Sequence, residues 1–197
     1  MTAKPPPIPP RPFRLTREQY YEMGERGYFD GKRVELIYGE VVEMSPTNWP
    51  HTLCLGLVSE ALARVFASGY WVSQQQPLPI SSATLVSEPE PDVAVIPGTR
   101  RDYTDHPTVA ALLVEVSHAT LTYDLTTKAE LYATAGVPEY WVLDIENRQL
   151  HVFRDPAPLQ TELEATAYRT RLALAPTDRV SPLAAPAASI LVSDLLP

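Results

Sequence analysis

Two carboxylates and a lysine stand on consecutive apolar runs: Asp92 in Glu90-Pro91-Asp92-Val93-Ala94-Val95, Glu115 in Leu113-Val114-Glu115-Val116-Ser117, and Lys128 beyond them. Side chains alternate along a strand, so Leu113, Glu115 and Ser117 would share one face and Leu112, Val114 and Val116 the other. A carboxylate in such a run is costly to bury unless it is paired or bound to a cation. Asp92 follows a proline, and alone it would read as a strand-end or turn aspartate. Two carboxylates from neighbouring strands, with the Val116 carbonyl and waters, make an oxygen-rich set suited to Mg²⁺ or Mn²⁺. A nearby ammonium could stabilise the charge that builds up when water attacks a phosphodiester. The competing structural reading is an ion pair between Glu115 and Lys128 and a turn residue at 92.

Further side chains are arranged around this trio. Asp124 precedes Lys128 by four residues and Tyr132 follows it by four, so one helix face would carry all three. Glu35 lies on an early alternating run and is a further candidate ligand for metal or water. His51 opens an apolar helical stretch, where a histidine caps or packs more often than it touches a phosphate. His118 and Asp124 flank the loop after the Glu115 run and are supporting candidates. Other chemistries lack their signatures. There is no glycine-rich phosphate loop, no paired-cysteine zinc spacing and no Gly-x-Ser-x-Gly elbow.

The elements that must position these residues follow from periodicity and turn signals. Thr16-Arg17-Glu18-Gln19 is a capping box that opens a short helix through about Arg26, with Gly27 as its stop. Val34 to Met44 alternates around Tyr38-Gly39, a hairpin signal. Residues 50–66 have helical periodicity, with apolar or compact side chains at 51, 55, 58, 62 and 65. Strands are expected at 70–76, 91–96, 111–117, 140–144 and 150–153, with a helix at 125–135 closed by Gly136 and Pro138. The 112–144 strand–helix–strand unit should be a right-handed crossover. A strand or two near 168–174 and a loose tail ending in Ile190-Leu191-Val192 complete the chain. The expected architecture is α/β (α+β), a central mixed sheet flanked by helices. Three regions are expected: a proline-rich flexible arm over 1–13, a main domain over 14–155, and C-terminal strands and tail over 156–197 packing on that domain.

Composition limits the function. A chain of 197 residues with 45% hydrophobic and 20% charged residues suits one domain with a full core. It has no long uninterrupted apolar run, so no membrane span is expected. The single cysteine, Cys54, cannot form an internal disulfide and suits a reducing cytoplasm. A net charge of -8 argues against holding DNA by bulk electrostatics. Basic residues gather early in the chain, at Lys4, Arg11, Arg14, Arg17, Arg26, Lys32 and Arg33. The acids gather where a cation would offset them.

Taken together, several segments resemble a known group. They run from Val34-Glu35-Leu36-Ile37-Tyr38-Gly39-Glu40 through His51, Glu90-Pro91-Asp92, Leu113-Val114-Glu115-Val116-Ser117, Asp124, Lys128 and Tyr132 to Gly136-Val137-Pro138-Glu139-Tyr140-Trp141. This pattern resembles the Uma-type family described as restriction endonucleases, within the PD-(D/E)XK nuclease superfamily, over about residues 14–155. The resemblance implies a restriction-endonuclease-like core in which Asp92 and Glu115 bind Mg²⁺ or Mn²⁺. It also implies that Glu35 is the acidic residue of the early core. The superfamily lysine two residues after the glutamate is Ser117 here, and the family's displaced lysine matches Lys128. The expected function is therefore a metal-dependent endonuclease that hydrolyses DNA, with catalytic Asp92, Glu115 and Lys128 and metal ligands Asp92, Glu115 and Val116. Two copies would pair as a homodimer to cut both strands. The rival readings are a catalytically silent binding module on the same fold, favoured by the acidic charge and Ser117, and a hydrolase of small nucleotides.

Overall fold

Burial of the two faces of one twisted sheet organises this chain. The computed structural model describes residues 12–81, 86–158 and 166–197. The expected proline-rich arm therefore falls, up to residue 11, outside the described residues. Helix α1 (Arg17–Glu25) begins at the expected capping box, with Thr16 and Gln19 satisfying each other's backbone N–H groups. Strands β1 (Val34–Ile37) and β2 (Glu40–Glu43) form a hairpin. Its turn residues Tyr38 and Gly39 have φ of 52° and 76°, as a tight two-residue turn requires. Helix α2 (Trp49–Val65) is capped by Asn48, whose side chain accepts from the His51 N–H.

The main sheet has six strands. In chain order they are β3 (Tyr70–Gln74), β6 (Val93–Pro97), β7 (Leu112–Ser117), β8 (Glu139–Asp144), β9 (Gln149–Pro158) and β10 (Thr166–Leu174). Between β3 and β6 lies the small pair β4 (Ile80–Ser81) and β5 (Val86–Ser87). The spatial order is β10-β9-β8-β7-β6-β3. Only β7 and β8 run parallel, joined by the expected crossover helix, and the other neighbours are antiparallel. The sheet is therefore mixed, and the α/β class expected from sequence holds. The near-continuous apolar runs of β7 and β8 are buried at every position because both sheet faces are covered.

One face packs Val93, Val95, Leu112, Val114, Trp141 and Leu143 against Cys54, Val58 and Leu62 of α2. The other packs Ala94, Ile96, Leu113, Tyr140 and Val142 against Ala129, Leu131 and Tyr132 of the crossover helix. That helix, α3, is not the plain α-helix the periodicity suggests. It runs as Leu121–Tyr123, a π-turn at Asp124–Lys128, and then Ala129–Thr134. One wide turn inside an α-helix is a feature often found where a side chain must be re-aimed.

The loose tail expected after residue 174 is instead ordered. Strands β11 (Arg179–Val180) and β12 (Ile190–Leu191) pair, and a 3₁₀ turn at Val192–Leu195 follows. Val192 and Leu195 are fully buried against the α2 face of the core. The Leu195 carbonyl accepts from the Cys54 thiol at 3.1 Å. Arg154 bridges buried Glu139 and the Ser181 carbonyl, while Glu139 also accepts from the Leu183 N–H. Burial pushes the Cys54 thiol up to about 12, the behaviour of an inert structural cysteine. Because the tail closes the core, Leu195→Ala is expected to cost about 2–5 kcal/mol. Urea unfolding measures this, and an unchanged midpoint would show that the tail is dispensable to the core.

Candidate active site

The antiparallel register of β6 and β7 sets the centre of the site. Val93 pairs with Val114, so Asp92, one residue ahead of β6, falls beside Glu115. The Asp92 N–H donates to Glu115 Oε2 at 3.3 Å, and the Val116 N–H donates to Asp92 Oδ2 at 2.8 Å. Each carboxylate is thus held by the other residue's strand. Glu115 points to the sheet face shared with Leu113, as alternation requires, and this is the face that α3 covers.

The π-turn delivers the ammonium. Lys128 Nζ lies 3.0 Å from Glu115 Oε1 and 2.7 Å from Glu35 Oε2, and the residue is 1% exposed. One helical turn on, the Tyr132 hydroxyl donates to the same Glu115 oxygen at 2.7 Å. Lys128 and Tyr132 therefore share a target. Asp124, expected on the same face, turns elsewhere: its Oδ2 accepts from the Thr120 hydroxyl at 2.6 Å. On the far side, His51 Nε2 stands 3.1 Å from Asp92 Oδ2, and Gln75 donates to Asp92 Oδ1 at 3.2 Å.

These groups surround a cavity of about 100 Å³. Glu35, His51, Asp92, Glu115, Val116, His118 and Asp124 all line it, joined by Arg33, Glu90 and Thr120. Lys128 and Tyr132 do not. They stand behind Glu115 and grip it from the interior. Sequence reasoning did not single out Gln75, Thr120 or Arg33. Gln75 carried no chemical signal, although its φ of 48° marks a backbone turned deliberately.

Electrostatics separates the acids. Burial raises Asp92, but His51, the Val116 N–H and Gln75 outweigh it and hold the carboxyl below its ordinary value. Glu115 moves the opposite way. Burial raises it, Lys128 pulls it down, and the repulsion of Asp92, Asp124 and Glu35 adds to burial, leaving it well above the ordinary carboxylate range. Burial lowers the Lys128 ammonium, yet Glu115 and Glu35 more than restore it, so it stays charged. One ammonium thus serves a crowd of buried carboxylates. A hard divalent cation between Asp92 and Glu115 would relieve that crowding, and their oxygens are the donors such an ion takes. Among the described residues no three His, Cys, Asp or Glu side chains form a ready metal cage. A site here would have to draw on both carboxylates, a backbone carbonyl and water.

Burial also raises the Asp124 carboxyl, from 3.8 to about 6, against the pull of Thr120 and Lys128. A folded-state value above the unfolded one favours the folded state most below 3.8, and the advantage is lost as pH rises through about 6. In chelator-treated buffer, Asp124→Asn is expected to flatten stability against pH in this window, by up to ~1.4 kcal/mol per pH unit. Urea midpoints measured across the window test this. Parallel profiles for the two proteins would remove Asp124 from the account.

No curated protein matches the chain. A solved structure of "a putative nuclease belonging to DUF820" from Anabaena variabilis matches with a TM-score of 0.66. It is 15% identical and covers 93% of this chain and 97% of its own, so the two share a fold. The family described as "Uma2: Putative restriction endonuclease" matches residues 17–191, from α1 to β12. The chain belongs to that Uma2 family.

Proposed function

We propose that this protein is a metal-dependent endonuclease that hydrolyses DNA phosphodiester bonds at the cavity between β6, β7 and α2. The observation that carries this reading is the meeting of Asp92 and Glu115 on one cavity, with Glu115 tied to a buried Lys128. Asp92, Glu115 and the Val116 carbonyl would hold Mg²⁺ or Mn²⁺. When bound, that ion would lower the pKa of a water and polarise the phosphate.

The chain's own residues divide the remaining work. His51 and Gln75 fix the Asp92 carboxylate from both oxygens. Tyr132 and Lys128 fix Glu115 from behind, so neither ligand must reorganise when the ion arrives. Lys128 acts through Glu115 from its buried seat, its charge keeping that carboxylate in place for the ion. Glu35 keeps that ammonium centred. Water gives up a proton to solvent as it attacks phosphorus, the P–O bond to the leaving nucleotide breaks, and the departing oxygen takes a proton back from solvent. Pairing of two copies and a cytoplasmic setting belong to the same proposal.

A second reading is a catalytically silent module on the nuclease fold. It is favoured by the seat of Lys128, which is bonded to two carboxylates and does not line the cavity. Calorimetry with Mn²⁺ separates the two, because a silent module takes up no metal at millimolar concentration.

Cleavage of supercoiled, linear and single-stranded DNA with Mg²⁺ or Mn²⁺ is the direct test. Asp92→Asn and Glu115→Gln are each expected to lower the rate at least ~100-fold while the fold melts normally. Lys128→Ala should lower it too, but it strips the partner from two buried carboxylates and costs about 3–5 kcal/mol, so its melting must be read alongside. Undiminished cleavage by the Asp92→Asn, Glu115→Gln double variant would reject the site.

A further inference from the structure

Beyond the acidic cavity, a second and larger concavity of about 740 Å³ runs along the open edge of β3. Its character is different. The catalytic cavity is lined by five carboxylates, Glu35, Glu90, Asp92, Glu115 and Asp124. The groove has one, Asp105, and that one is already engaged by Arg17 at 3.5 Å and by the His106 N–H at 2.7 Å. What the groove offers instead is aromatic and cationic surface. Trp71 and Tyr103 meet edge to face with centroids 6.4 Å apart. Arg100, exposed to solvent, lies over the Trp71 ring at 4.9 Å. His106 and the amides of Gln74 and Gln76 complete the lining used here.

Three consecutive glutamines connect this groove to the catalytic cavity. Gln74 and Gln76 line the groove, while Gln75 between them turns inward to hold Asp92 Oδ1. Gln75, just past the end of β3, has a positive φ of 48°. The groove lining thus lies one residue along the chain from a side chain that touches Asp92, which sets it beside any phosphate held there. Among the described residues, β3 is an outermost strand of the main sheet.

We infer that the β3-edge groove seats unpaired nucleotides flanking the phosphate to be cut, so that the preferred substrate is single-stranded or frayed DNA. This inference rests on the nuclease reading above and narrows its substrate. The Trp71 and Tyr103 rings and the Arg100 guanidinium suit bases removed from a duplex, because a paired base hides its faces. The cation–π pair places a positive charge beside an aromatic ring on a protein of net charge -8, and a backbone phosphate is drawn to it. The volume is in the range that accommodates nucleotide-sized ligands.

Binding tests the groove independently of catalysis. Glu115→Gln protein with Mg²⁺ is titrated against fluorescently labelled oligothymidylate and against a labelled hairpin duplex, and anisotropy is read. The expected result is tighter binding of the single strand, reduced at least ~10-fold by adding Arg100→Ala with an unchanged melting curve, and reduced again by adding Tyr103→Ala, read at a temperature well below that variant's own melting because Tyr103 also packs on the core. Equal binding of the single strand by parent and double variant would overturn the groove, as would tighter binding of the duplex. A loss of self-association in the double variant, with oligonucleotide binding unchanged, would make the edge an interface between copies and also overturn it. Should Arg100→Ala lower the melting temperature, Arg100→Gln keeps the test. If the wild type cleaves nothing, the nuclease reading fails, while these titrations still decide whether the groove takes single strands.

Discussion

A single ammonium shared between Glu35 and Glu115 underlies the arrangement of this protein. Removing three charged groups from water is expensive, and mutual attraction repays it only with close geometry and further hydrogen bonds. The fold supplies both. Lys128 reaches each carboxylate within 3.0 Å, and the Tyr132 hydroxyl adds a third bond to Glu115. Even so, the balance is short of positive charge, because Asp92 and Asp124 stand close by. A chain optimised for stability alone would replace such a cluster with apolar side chains. Keeping it makes sense where a cation completes the set.

The rest of the architecture serves that cluster. The hairpin β1–β2 carries Glu35 inward, the β6–β7 register sets Asp92 against Glu115, and the parallel β7–β8 crossover brings α3 back over the same face. The first turn of α2 leans His51 onto Asp92 from the opposite side of the cavity. Another buried carboxylate, Glu139, has a separate task. With Arg154 it fastens the C-terminal segment, whose Leu195 closes the α2 face of the core. These ionic clusters divide the labour, one holding the site and the other the C-terminal segment.

Much of this was legible in the sequence because it depends on local rules. The capping box at Thr16, the Tyr38-Gly39 turn and the apolar runs of β7 and β8 are each set by neighbours a few residues away. Glu115 stood out for the same reason, as a charge inside a run that must be buried. The ion pair of Glu115 with Lys128, weighed from sequence as the structural alternative to a phosphate-facing lysine, is present in the fold. What stayed hidden depends on contacts distant in sequence. Gln75 acquires its partner only when β3 pairs with β6, and the ordered tail owes its order to α2 and Glu139. Asp124 parts from Lys128 because the helix widens between them, which no periodicity of apolar residues reveals.

That widening has a structural meaning of its own. In a uniform helix, the residues of the loop before it and those of its later turns are locked in one angular phase. The π-turn at Asp124–Lys128 breaks the lock. Upstream, Thr120 and Asp124 can be fitted to the cavity wall. Downstream, Lys128 and Tyr132 can be fitted to the hidden side of Glu115. The wide turn works as a phase shifter, giving the two halves of one continuous helix an angular offset that a uniform helix of the same length would lack.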